Sequence, residues 1–105
     1  PTLENLKSLN VKDSFGKNLS FDSLPTLNKQ LNDMLKSIRG RSINKNDANK
    51  KKLVKDFMRI LYTGSQIKGT DVKTKNTKNI IKNILKRNGT DIEKLSKYIN
   101  KRYGI

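Results

Sequence analysis

Lysine is the residue that recurs at helical spacing in this chain. Lys51, Lys55 and Arg59 come every four residues, and so do Lys78, Lys82 and Lys86, with Lys75 three places ahead of them. Lys94, Lys97 and Lys101 follow at intervals of three and four. At about 100° per residue each set forms one stripe along a helix, and Tyr62 continues the first. A row of ammonium groups can neutralise a polyanion, because Lys acts as a point charge and fixes no orientation. Five of the 24 cations are Arg, at positions 39, 41, 59, 87 and 102. Bidentate reading of guanine edges favours Arg, so the balance points to sequence-tolerant contact with a phosphate backbone. The candidate contacts extend from the stripes to Lys68 and Lys73 in the segment before the Lys75 stripe, to Arg87 after it, and to Arg102 near the end.

Tyr62 and Tyr98 are placed to stack on unpaired bases, whereas Tyr103 shares a face with Ile99 and reads as core. Asn76, Asn79, Asn83 and Asn100 lie among the lysines, and read first as ordinary exposed asparagines. Other chemistry finds little material. With no Cys and no His, there is no thiolate or imidazole metal site, no cysteine nucleophile and no His acid–base catalyst. The nine acids are scattered, Asp91 and Glu93 being the only close pair, and a two-metal nuclease needs several that converge. Gly64 and Gly69 are not followed by the Lys-Ser/Thr of a phosphate-binding loop. A non-catalytic protein without cofactor or metal is therefore expected.

The net charge of +15 over 105 residues gives the stripes their context. Residues 1–44 hold 7 Lys/Arg and 4 acids, a net of +3, while residues 45–105 hold 17 and 5, a net of +12. The 19 Lys, 13 Asn and 10 Ile all have AT-rich codons, but that bias does not by itself deplete Asp and Glu. A free protein this basic repels itself, and a bound polyanion relieves the repulsion. The length suits one domain, with 1–44 as the less charged scaffold part and 45–105 as the basic binding part. No run of 18 apolar residues is present, so neither a membrane span nor membrane binding is expected. The first residues carry no secretory-signal pattern, so an intracellular setting is expected: cytoplasm, nucleoid, organelle matrix or virion interior. Pro1 fits removal of an initiator Met and processing of a precursor equally well.

The elements that must position these side chains are helices. Thr2 caps a short helix through Leu3, Leu6 and Leu9. Asn10 to Ser23 reads as a loop with room for one short strand. A second helix starts between Ser23 and Thr26, carries Leu24, Leu27, Leu31, Met34, Leu35 and Ile38 on one face, and stops at Gly40. Arg41 to Asn46 is a polar connector. Asp47 then caps a third helix that ends at Thr63-Gly64. Residues 63–73 read as a long basic loop. A fourth helix covers about Thr74 to Arg87, with Ile80, Ile81, Ile84 and Leu85 inward. Thr90 and Glu93 fit a capping box for a fifth helix bearing Ile92, Leu95, Ile99 and Tyr103. The expected fold is an all-α bundle of four to five helices.

The functional expectation is a nucleic-acid-binding protein, DNA slightly favoured over RNA, in an architectural, packaging or accessory role. One alternative is a helix-turn-helix regulator of transcription or replication, built on the fourth and fifth helices with the Asn88-Gly89-Thr90 turn. The other is an adaptor or structural component that docks on an acidic protein partner in an assembly such as a virion or ribosome. The residues do not fix the oligomeric state.

Overall fold

The apolar spacing becomes five helices in a computed structural model that describes residues 1–40 and 48–103. They are α1 (Leu3–Lys7), α2 (Leu24–Arg39), α3 (Ala48–Gln66), α4 (Val72–Arg87) and α5 (Ile92–Tyr103). The connector at 41–46 and the proposed cap Asp47 lie outside the described residues. α3 is the central helix and packs against each of the other four, while α2 also packs along α4. One buried cluster joins Leu6 of α1, Leu31 of α2, Phe57 of α3, Ile84 of α4 and Ile99 of α5. The protein is thus a small all-α bundle.

Local chemistry explains most of the boundaries. Thr2 and Asn5 cap α1 reciprocally, the Thr2 hydroxyl accepting from the Asn5 amide and the Asn5 side chain accepting from the Thr2 amide. Pro25 sits in the first turn of α2, where its missing N–H leaves no bond unmade. The loop from Asn10 to Ser23 forms no strand; Lys12 and Asn18 make a single antiparallel bridge, and Val11 and Leu19 are buried beside it. The loop is fastened from below by α2. Gln30, 8% exposed, donates to Asp13 Oδ2 (2.9 Å) and to the Asn18 carbonyl (3.0 Å), and accepts from the Ser20 amide (2.9 Å).

Four boundaries differ from the sequence expectation, the first being α1, which ends at Lys7 and leaves Leu9 beyond it, packed half-buried on the core. α3 does not end at Thr63-Gly64 but continues to Gln66. Gly64 is a contact residue within the helix, buried against Ile81: a methyl group there would run into Ile81 Cδ1 and stand 3.6 Å from Leu6 Cδ2. Absence of a side chain lets α4 and α1 approach α3, and that packing outweighs the roughly 1 kcal/mol helix penalty of Gly. Ile67 then plugs the core, so the expected loop of 63–73 shrinks to a short link between Gln66 and Val72. α4 begins at Val72 because Asp71 caps it, accepting from the Thr74 amide (3.0 Å) and hydroxyl (2.8 Å).

The capping box at Thr90 is replaced by a cap at Asp91, whose side chain accepts from the Lys94 amide (2.8 Å). The Thr90 amide is committed to the preceding helix. It donates to the Leu85 carbonyl (3.0 Å) while the Gly89 amide donates to that of Lys86 (3.1 Å). With Gly89 at φ +65°, this pair of bonds is a Schellman closure of α4. The end of α5 is tied to the end of α2: the Tyr103 hydroxyl donates to the Ile38 carbonyl (2.7 Å) and Arg102 donates to that of Gly40 (2.9 Å).

Candidate nucleic-acid interface

Each cationic stripe is positioned by the apolar face beneath it. On α3, Val54, Phe57, Ile60 and Leu61 are buried, which turns Lys51, Lys55, Arg59 and Tyr62 outward. Lys52 and Gln66 complete that exposed side, so it carries no acid. Asp56 is half-buried at its margin, 3.9 Å from Arg59. On α5, Leu95, Ile99 and Tyr103 face the core and Lys94, Lys97 and Lys101 are exposed on the opposite side.

α4 is rotated relative to the sequence expectation. Its buried residues are Thr74, Thr77, Ile81, Ile84 and Leu85, with Ile80 only half-buried. Two threonines can face inward because their hydroxyls are satisfied locally, Thr77 on the Lys73 carbonyl (2.9 Å) and Thr74 on Asp71. Lys75, Lys82 and Lys86 are exposed and Lys78 half-buried, so the stripe runs along the flank of the helix and not along its crest. The crest is held by Asn79 and Asn83, both exposed.

The flank faces α5. Lys82 and Lys86 of α4, Lys94 of α5 and Ser65 of α3 rim an open cleft of about 650 Å³ with Leu85 and Ile92 in its lining. Asp91 and Glu93 also line it, so this cleft has mixed charge. The α3 and α5 faces meet at Tyr62, 41% exposed, whose hydroxyl donates to Ser96 Oγ (2.7 Å). That bond fixes the ring between two cationic faces. Lys68 and Arg87 are exposed at the two ends of α4's surroundings.

Two of the expected contact residues are otherwise engaged. Lys73 donates to Asp22 (2.7 Å), fastening α4 to the loop before α2. This hydrogen bond, with the attraction of the two charges, holds the Asp22 carboxyl below its ordinary 3.8 and the Lys73 ammonium above its ordinary 10.5. Arg102 donates to the Tyr98 hydroxyl and the Gly40 carbonyl, with its guanidinium 5.8 Å and 5.7 Å from the ring centroids of Tyr98 and Tyr103. It serves as a bracket between α5 and α2, and Tyr98 is covered on that side.

Two cations outside the expected set, Lys12 and Lys52, lie beside Arg59 on this surface. Lys12 of the loop lines a cleft of about 390 Å³ together with Lys52 and Arg59 of α3 and the acids Asp13 and Asp56, and Lys17 is exposed on the same loop. Lys52 is adjacent to Lys51 in sequence and so falls outside a stripe read at intervals of four. Nothing in the local pattern of residues 10–20 announces that their loop folds beside α3.

The acids mark the contrast. Glu4 and Asp22 pair with Lys7, Asp22 also with Lys73, and Asp56 with Arg59; Asp71 and Asp91 cap helices; Asp13 is buried in the loop's hydrogen bonds. Among the described residues no ion pair involves a stripe lysine of α4 or α5. No group of three or more acids converges among them, and none of their helices is long and apolar enough to cross a membrane. Comparison with protein-family models, with curated proteins and with solved structures gives no match.

Proposed function

We propose that this protein binds nucleic acid without catalysis, through phosphate-backbone neutralisation by the exposed faces of α3, α4 and α5, in an architectural, packaging or accessory role. The observation that carries the reading is the sorting of charge: Asp13, Asp22, Asp71 and Asp91 serve as caps and fasteners, while the stripe lysines of α4 and α5 have no ion partner among the described residues. The exposed acid Glu93 shares the cleft with Lys82, Lys86 and Lys94. Like charges at i, i+4 destabilise a helix by roughly 0.2–0.5 kcal/mol per pair, and a polyanion turns that repulsion into attraction. DNA is favoured slightly over RNA as the partner, and an intracellular setting goes with either. The helix-turn-helix alternative has less support, because α5 packs chiefly on α3 and is bound to the end of α2. Docking on an acidic protein surface draws on the same lysines.

The test is fluorescence anisotropy with duplex DNA, single-stranded DNA and structured RNA across a salt series. Six phosphate contacts on duplex DNA give a log–log slope of about −5, from −0.9 per phosphate. A steep slope with little sequence dependence is the expected result. Weak binding to all three at physiological salt sinks the proposal and turns attention to acidic protein partners.

A further inference from the structure

The loop of residues 12–18 is tightly built, yet it presents an unburied aromatic. Phe15 is 75% exposed. Around it, Asp13 Oδ1 accepts from the amides of Phe15 and Lys17 (both 2.9 Å), the Asp13 amide donates to the Lys17 carbonyl (2.7 Å), and the Gly16 amide donates to the Asp13 carbonyl (3.1 Å). Gln30 of α2 holds Asp13 from beneath, and Ser37 holds Ser14 (3.2 Å). A loop fixed this way loses little further freedom when its tip is gripped, and burying a Phe ring on binding is favourable. The neighbouring charge says what kind of surface grips it. Lys12 and Lys17 flank the tip, both exposed, and Lys12 shares a cleft with Lys52 and Arg59 of α3. The cations there outnumber the two acids, Asp13, whose oxygens are taken up by the loop and Gln30, and Asp56, which lies 3.9 Å from Arg59.

We propose that Phe15 is a stacking residue for an unpaired base of a nucleic acid whose phosphates are held by Lys12, Lys17, Lys52 and Arg59. The inference rests on the nucleic-acid reading above and narrows its substrate to strands with unpaired bases. Bases present a π-face whatever their identity, so one ring and several lysines form a sequence-tolerant contact. Insertion into a duplex would also have to unstack a base step, a cost that an unpaired base does not impose.

Three proteins test it: wild type, Phe15→Ala and Phe15→Trp, the last being the chain's sole tryptophan. Each is titrated with single-stranded oligonucleotide, with blunt duplex of equal length and with anionic phospholipid vesicles. Base–aromatic stacking of about 1–3 kcal/mol corresponds to about a 5- to 150-fold weaker single-strand affinity for Phe15→Ala. Its salt slope should be unchanged, since no charge is removed, and its duplex affinity should equal that of wild type. Phe15→Trp should bind like wild type, with its emission quenched by the single strand. Equal single-strand affinity of Phe15→Ala and wild type, with unquenched Trp emission, overturns the stacking role while leaving backbone binding intact. An equal loss on duplex overturns the restriction to unpaired bases. A blue shift with vesicles and none with nucleic acid assigns the ring to a lipid surface. Failure of wild type to bind any nucleic acid removes the underlying reading and this inference together.

Discussion

Replacing Lys78, Lys82 and Lys86 together with Gln should weaken nucleic-acid binding while leaving the fold about as stable as before or more so. The opposite signs follow from the position of the three side chains on the flank of α4, with no acid in the helix to balance them. The change removes like-charge neighbours at 75/78, 78/82 and 82/86, which at roughly 0.2–0.5 kcal/mol each returns about 0.6–1.5 kcal/mol. Lys86 lies in the last turn, where a cation gains about 0.3–1 kcal/mol from the helix dipole, and that gain is lost. Gln is nearly as good a helix former as Lys. The net change therefore falls between about −0.4 and +1.2 kcal/mol, a melting temperature between about 3 °C lower and about 5–10 °C higher for a domain of this size.

Binding responds differently. If the three lysines each meet a phosphate of duplex DNA, their loss makes the log–log salt slope shallower by about 2.7, and between 50 and 200 mM salt the variant then loses about 40-fold less affinity than wild type. Anisotropy titrations at four salt concentrations, paired with a thermal melt followed by circular dichroism, measure both quantities on one preparation. A slope equal to that of wild type in a variant that folds normally refutes the assignment of phosphate contacts to α4. A drop in melting temperature clearly larger than about 3 °C refutes the argument that these lysines repel one another in the free protein.

Two further predictions concern the scaffold. Gly64→Ala alone should destabilise by up to about 2 kcal/mol, an overpacking cost of about 1–3 kcal/mol less roughly 1 kcal/mol of improved helix propensity; Ile81→Val should cost about 0.5–1.5 kcal/mol. The double variant should recover most of both losses, because the deleted Ile81 Cδ1 is the atom the new methyl meets, and additive losses in urea unfolding would contradict that packing. At Asp13 burial disfavours the charge, but the hydrogen bonds from Gln30 and the amides of Lys17 and Phe15, with the Lys17 ammonium, outweigh it and lower the pKa below 3.8. A carboxylate with a lowered folded pKa contributes stability that is complete above its unfolded value and disappears as pH falls through the folded value. Asp13→Asn should thus lower the melting temperature at pH 7, with a gap to wild type that narrows below about pH 4; a gap constant from pH 7 to pH 2 would show that the charge itself contributes nothing.

The helices were legible because each needs only a local apolar period and a stop signal. Leu27, Leu31, Met34 and Ile38 define α2, and Gly40 marks its end. Where a local signal competed with packing, packing decided. Thr63-Gly64 resembles a helix stop, but Gly64 packs against Ile81 of α4 and close to Leu6 of α1, neighbours far away in sequence. Thr90 resembles an N-cap, but its amide was already needed by the carbonyl of Leu85, which passes the cap to Asp91. Thr74 and Thr77 resemble surface residues, and their hydroxyls find partners within their own turn, which lets them sit inward and rotate α4.

The candidate site divides along the same line. Exposure of Lys55, Lys82 or Lys97 follows from residues three and four away, so the stripes were readable. Which cations remain available does not follow from them: Asp22 lies 51 positions from Lys73 and Gly40 lies 62 from Arg102, and only the assembled fold brings those pairs together. The loop that carries Phe15 shows both halves of this at once. Its own residues shape the turn, but Gln30 of α2 fastens it and Lys52 and Arg59 of α3 supply the charge beside it. The cationic surface is therefore a property of the packed bundle: α3 touches every other helix, Lys12 of the loop lines a cleft with Lys52 and Arg59 of α3, and Lys82, Lys86 and Lys94 line another with Ser65 of α3. Repulsion among neighbouring lysines opposes folding of the free chain, and a polyanion lying across them would relieve it, so the packing that builds the surface supplies the physical premise of the proposed binding.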